Sequence, residues 1–85
     1  MAEEKLIGKI THYFGGINVG IIELTDDFKI GERIHIKGSS TDFEQAVNSM
    51  QINRQDISAA KAGDAIGVKV EQKVREGDMV YKITE

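Results

Sequence analysis

The chain has neither cysteine nor proline among its 85 residues, and no apolar run approaches the roughly 20 residues that a membrane-spanning helix requires. Without cysteine there is no disulfide framework, and no dense His/Cys cluster suggests a structural metal, so stability has to come from packing and hydrogen bonding. The same absence fits a reducing compartment. Residues 1–5 are acidic and lack the apolar core of a secretion signal. The expectation is a soluble, cytoplasmic protein with no membrane contact. At this length the chain reads as one domain, residues 1–85, with residues 1–5 as a flexible N-terminal tail. A domain of this size buries only about 60% of the surface its unfolded chain exposes, so its core must be economical. The formal charge of −3 and isoelectric point near 5.3 argue against nucleic-acid affinity carried by bulk charge, while leaving room for a local basic face.

What is present is a repeated turn-and-strand device. In Lys61-Ala-Gly-Asp-Ala-Ile-Gly-Val-Lys-Val70, Ile66, Val68 and Val70 share one face and Ala65, Gly67 and Lys69 the other. A period of two is the signature of a half-buried strand. Gly63 suits the turn because it takes positive φ cheaply, and Asp64 can hydrogen-bond nearby backbone donors. The device recurs as Lys29-Ile-Gly-Glu32 before Arg33–Lys37 and as Arg75-Glu-Gly-Asp78 before Met79–Ile83. Three launched strands indicate a small all-β unit.

Along the chain, Leu6–Tyr13 reads as a first strand bent at Gly8. Gly15-Gly16 is a flexible connection, and Val19–Leu24 a second strand with apolar residues on both parities, which means two-sided burial or a bulge. Thr25–Asp27 is a turn cluster, after which Phe28 and Ile30 are expected to plug one end of the core. In Arg33–Lys37, Ile34 and Ile36 point inward while Arg33, His35 and Lys37 form an outward row. Gly38–Asp42 is a polar loop. Asp42–Ile52 reads as a strand whose parity slips at a bulge near Asn48-Ser49; the alternative is a helix, since Phe43, Ala46, Val47 and Met50 fit helical spacing. Asn53–Gln55 is a turn, and Asp56–Ala60 one short helical turn capped by Asp56.

In this order, Gly8-Lys-Ile10, Lys29-Ile-Gly-Glu32, Ile34-His-Ile36, Val47-Asn-Ser-Met50, Ala60-Lys-Ala-Gly-Asp-Ala-Ile-Gly67 and Arg75-Glu-Gly-Asp-Met-Val80 resemble the second domain of translational GTPases such as elongation factor Tu. A similar domain is appended to some collagenase-like peptidases. The resemblance implies a small closed Greek-key antiparallel β-barrel of six or seven strands, used for contact with tRNA, RNA or the ribosome. The chain departs from the whole GTPase in lacking a Gly-x-x-x-x-Gly-Lys-Ser/Thr phosphate cradle and an Asn-Lys-x-Asp base reader, so it binds no nucleotide by itself.

No order of nucleophile, base and acid stands out, because Asp26, Asp27, Glu76 and Asp78 fall where turns want them. The two histidines, His12 and His35, lie on different strands and do not read as a metal pair. The expectation is therefore a non-enzyme without catalytic residues, metal ligands or cofactor. Its contact surface would be the row Arg33, His35 and Lys37, a stripe ~13 to 14 Å long at about 3.3 Å per residue, with Tyr13 or Phe14 stacking on a base. Glu23 or Glu44 on adjacent strands would neutralise that row if it were only a solvated face. The main reading is a binding module for RNA or the ribosome; the alternative is a protein-interaction or accessory module for an enzyme such as a collagenase-like peptidase.

Overall fold

The computed structural model describes residues 3–84. The elements in chain order are β1 Glu3–Phe14, β2 Val19–Leu24, β3 Phe28–Lys29, β4 Arg33–Lys37, β5 Asp42–Ala46, β6 Met50–Ile52, β7 Gln55–Ile57, β8 Ala59–Ala60, β9 Ala65–Lys69 and β10 Met79–Thr84. All described ladders are antiparallel, and no helix occurs among the described residues. An eight-stranded sheet runs β5-β4-β10-β1-β2-β9-β6-β7, and β3 pairs with β8 in a second small sheet.

The three launching turns behave as their sequences dictate. Gly31, Gly63 and Gly77 take φ of 92, 94 and 91°, the left-handed region that only glycine occupies without strain. In each turn the acidic residue accepts the N–H of the residue three positions earlier, at 3.0 Å for Glu32 and Lys29, 3.1 Å for Asp64 and Lys61, and 2.9 Å for Asp78 and Arg75. Strands β4, β9 and β10 follow directly; β9 alternates buried and exposed positions, while in β4 Ile34, His35 and Ile36 are all buried.

The core joins Ile7, Ile10, Ile22, Leu24, Phe28, Ile34, Ile36, Phe43, Val47, Met50, Ile66, Val68, Val70, Val74 and Val80. Long β1 reaches it through two register shifts, between Leu6 and Gly8 and between Ile10 and His12. Each adds an unpaired residue and bends the strand. Gly8 makes the first bend possible, because a Cβ there would stand 2.5 Å from the Glu23 carbonyl oxygen.

Several expectations need correction. Glu3–Lys5, expected in a flexible tail, begin β1; Met1 and Ala2 lie outside the described residues. The Asp42–Ile52 segment is neither one bulged strand nor a helix. It breaks at 47–49 into β5 and β6, which serve separate places in the sheet. Val47 still enters the core through the break, where Gly31 donates to its carbonyl at 2.8 Å and its own N–H donates to Glu32 at 3.0 Å. The expected helical turn at Asp56–Ala60 is instead parts of β7 and β8. A tight turn through Asn53 and Arg54, at φ 52 and 65°, folds β7 back on β6, the double positive φ of a type I′ hairpin. Phe28 is buried, but Ile30 is exposed and plugs nothing. Among the described residues no ladder joins the sheet's outer members β5 and β7, so the fold stands as a small all-β domain rather than a barrel closed by hydrogen bonds.

Candidate functional site

The outer face of β5, β4, β10 and β1 carries the expected row. Arg33 and Lys37 are exposed, as the alternation requires, while His35 on the same face is 8% exposed. Register explains this. Across the ladders His35 sits between Glu44 of β5 and Tyr81 of β10, and Tyr81 in turn faces Leu6 of β1. Glu4 and Asp42 then close over the ring diagonally. The Nδ1 atom of His35 lies 2.8 Å from Glu4 Oε2, and Nε2 bonds the Asp42 carboxylate.

Electrostatics follow from that cage. Burial pulls the His35 pKa down, but the hydrogen bonds to Asp42 and Glu4 outweigh it and leave the imidazole above its ordinary value. The hydrogen bond from His35 holds the carboxyls of Glu4 and Asp42 below theirs. Lys37 rests 5.5 Å above the Tyr81 ring, with its ammonium 3.5 Å from Glu4 Oε1. Arg33 makes no ion pair among the described residues. The row is thus one free cation, one tethered cation and an imidazole enclosed by carboxylates. Glu44 is the cross-strand neighbour that alternation foresaw, whereas Glu23 lies elsewhere, paired with Lys9 and Ala65.

Tyr13 and Phe14 do not join the row. They lie at the far end of β1, beyond its pairing with β10, which ends at Lys9. Tyr13 packs against the core and its hydroxyl donates to Asn18 Oδ1 at 3.3 Å, while Phe14 is exposed beside the His12 ring at 5.3 Å. What stands next to the row instead is apolar. Leu6 and Met79 are both exposed large side chains on this outer face.

Sequence reasoning missed Glu4 and Asp42. Glu4 comes from 31 positions upstream and meets His35 only because β10 inserts between β1 and β4. No local spacing carries that signal. The ligand atoms of Glu4, His35 and Glu44 all lie within 4.8 Å of one another, a mixed nitrogen and carboxylate set. A cleft of about 700 Å³ at the β3/β8 end is lined by Lys29, Lys61 and Lys82 against Asp27, Glu32 and Asp64; its balanced charges select an ion of neither sign.

The chain is similar to part of several known peptidases. It is 45% identical over 80 residues to an uncharacterized protease of Methanocaldococcus jannaschii, covering 93% of this chain and 20% of that one. It is 29% identical over 82 residues to a collagenase of Porphyromonas gingivalis, covering 94% of this chain and 23% of that one. The chain therefore spans about a fifth of the length of these curated relatives. No family model matches. The fold superposes on the C-terminal domain of a putative U32 peptidase of Geobacillus thermoleovorans with a TM-score of 0.86 at 16% identity, covering 92% of this chain and 91% of that one.

These likenesses correct three expectations. The relatives are peptidase and collagenase chains and a peptidase domain, so the resemblance to a translation-factor domain gives way, and with it the reading as an RNA-binding, elongation-factor-like module. The expectation of a non-enzyme is corrected too, since the relatives are named as a protease and collagenases, of which this chain matches about a fifth. Concerning location, no helix among the described residues is long and apolar enough to cross a membrane.

Proposed function

We propose that this chain is an accessory, protein-contacting module of a collagenase-like peptidase. The observation that carries the reading is the alignment of nearly the whole chain, 93% of it, with a fifth of an uncharacterized protease. A segment matched in that way supports a unit carried within a longer peptidase chain. The contact surface we assign is the outer face of β4, β10 and β1, where Arg33 and Lys37 adjoin exposed Leu6 and Met79. Apolar side chains rimmed by charge suit a protein partner. Tyr13 and Phe14 belong to a separate patch at the far end of β1.

The finer architectural reading, a sheet rolled into a Greek-key barrel, belongs with this proposal. Its support is Gln45, whose side chain reaches from outer strand β5 to the end of β9, donating to the Lys69 carbonyl at 2.9 Å and accepting from Glu71 N–H at 2.8 Å.

The test pairs the purified chain with a collagenase-like peptidase from which the matching segment has been deleted. Saturable binding by calorimetry, with altered cleavage of denatured collagen, is expected. Replacing Leu6 and Met79 by Ser, or Arg33 and Lys37 by Ala, should weaken binding at least tenfold with the fold intact. Absence of both binding and any change in cleavage would sink the reading.

A further inference from the structure

We propose that Glu4, His35 and Glu44 bind one divalent transition-metal cation on the outer face of the sheet, with Asp42 orienting the imidazole. The three donors come from β1, β4 and β5, and their ligand atoms already lie within 4.8 Å of one another. Imidazole nitrogen with two carboxylates is a donor set for Zn²⁺ or Mn²⁺ rather than a soft ion. Metal–ligand bonds of about 2.0–2.2 Å bring tetrahedral ligands within about 3.5 Å of each other. Glu4 already stands at the ring, and Glu44 is exposed, so closing the remaining distance of about an ångström falls to Glu44.

The imidazole is already oriented for such an ion. The His35 side chain is nine-tenths buried, at 10% exposure, yet both ring nitrogens face carboxylates: Nδ1 stands 2.8 Å from Glu4, and Nε2 bonds Asp42. A protonated ring donates to both, whereas a neutral ring donates from one nitrogen and leaves the other free as a ligand. A cation held by Nδ1, Glu4 and Glu44 takes the place of the Nδ1 proton, and the ring still donates from Nε2 to Asp42. That is the carboxylate–histidine–metal arrangement in which an outer carboxylate fixes the tautomer. Charge agrees, because the carboxylates of Glu4, Asp42 and Glu44 converge on the ring and, among the described residues, Lys37 is the cation paired with them, 3.5 Å from Glu4. A dication displaces that ammonium from Glu4 and leaves it over Tyr81. Bound there, the ion ties the first strand of the sheet to an outer one, and it does so whether or not the domain serves a peptidase.

The experiment titrates ZnCl₂ into the metal-free chain, reading calorimetry, melting temperature and the ¹⁵N shifts of the His35 ring, with MgCl₂ as the comparison ion. One Zn²⁺ per chain is expected, with a raised melting temperature and a shift centred on Nδ1. Glu44→Gln should weaken binding at least tenfold, and since Glu44 has no hydrogen bond to His35 in the ion-free arrangement the fold survives the change. His35→Gln should do the same or worse, Asp42→Asn should cost about 10- to 100-fold, and Glu23→Gln should change nothing. The proposal is overturned if no Zn²⁺ binds, if Glu44→Gln binds as the parent does, or if Glu23→Gln weakens binding as much as Glu44→Gln. If His35→Gln fails to fold, the Glu44→Gln result decides.

Discussion

Replacing Gly8 by Ala tests the bend in β1 through the sign of its effect. At an ordinary strand position, glycine to alanine stabilises by roughly 0.5–1 kcal/mol, because alanine has less backbone freedom to lose on folding. At Gly8 the added Cβ would stand 2.5 Å from the Glu23 carbonyl oxygen, 2.9 Å from Ile22 Cγ2 and 3.2 Å from the Glu23 carbonyl carbon. Two of these neighbours are backbone in the ladder with β2, and the third is a side chain of the packed core. None can yield alone. Relief requires β1 and β2 to separate locally, loosening the pairing of Gly8 with both Leu24 and Val80. Overpacking of this kind typically costs 1–3 kcal/mol. With the entropic gain offset, a net loss of about 1–2 kcal/mol is expected, from a total of about 4–13 kcal/mol for a chain this long. The melting temperature should fall by about 4–16 °C. Urea unfolding followed by circular dichroism measures it, with a lower midpoint at unchanged m-value as the expected pattern. A Gly8→Ala protein as stable as the parent, or more so, would refute the close approach of β1 to β2.

Gly63 makes the complementary case: no atom lies within 4 Å of a Cβ placed there, but its φ is +94°, so Gly63→Val should cost on the order of 1 kcal/mol or more through backbone strain alone. An unchanged melting temperature would show that turn to be misread. Gln45→Ala leaves the Glu71 N–H and the Lys69 carbonyl without their partner and should destabilise by about 1–3 kcal/mol, with amide exchange at Glu71 accelerating first; equal exchange in parent and variant would deny the bridge. Ile36→Ala, removing a fully buried side chain opposite Val80 and Phe43, should cost about 2–5 kcal/mol in the same denaturation assay, and a loss under 1 kcal/mol would contradict its placement at the core's centre.

Local chemistry was legible in the residues wherever cause and effect lie close along the chain. The glycine-acid turns, the bounds of β2 and β4 and the inward pair Ile34 and Ile36 all came from spacing. The break at 47–49 was not legible, because Val47 keeps its place in the core while the backbone around it leaves the strand. Parity alone cannot separate a bulge from two short strands. Nor was the surroundings of His35, for alternation assigns a side chain to a face but not a depth on it. Depth came from Glu4, supplied by a segment read as a tail. The assignment to translation factors rested on turn and core positions, which a fold demands of every sequence that adopts it, whatever the host protein does.

The rung joining Glu3 to Thr84 has a mechanical consequence. Both ends of the described chain leave from the same end of one antiparallel pair, so tension between them opens the β1–β10 ladder one rung at a time, as a zipper opens. Tension applied instead between Phe14, at the other end of β1, and Thr84 loads the rungs together in shear. Single-molecule pulling from residues 3 and 84 should thus give a force well below that from residues 14 and 84, and equal forces would contradict the pairing. A domain attached through such neighbouring ends yields to a tug on its tether before its core feels the load. Because β10 lies between β1 and β4, the strand that peels is also the one joining the two halves of the sheet.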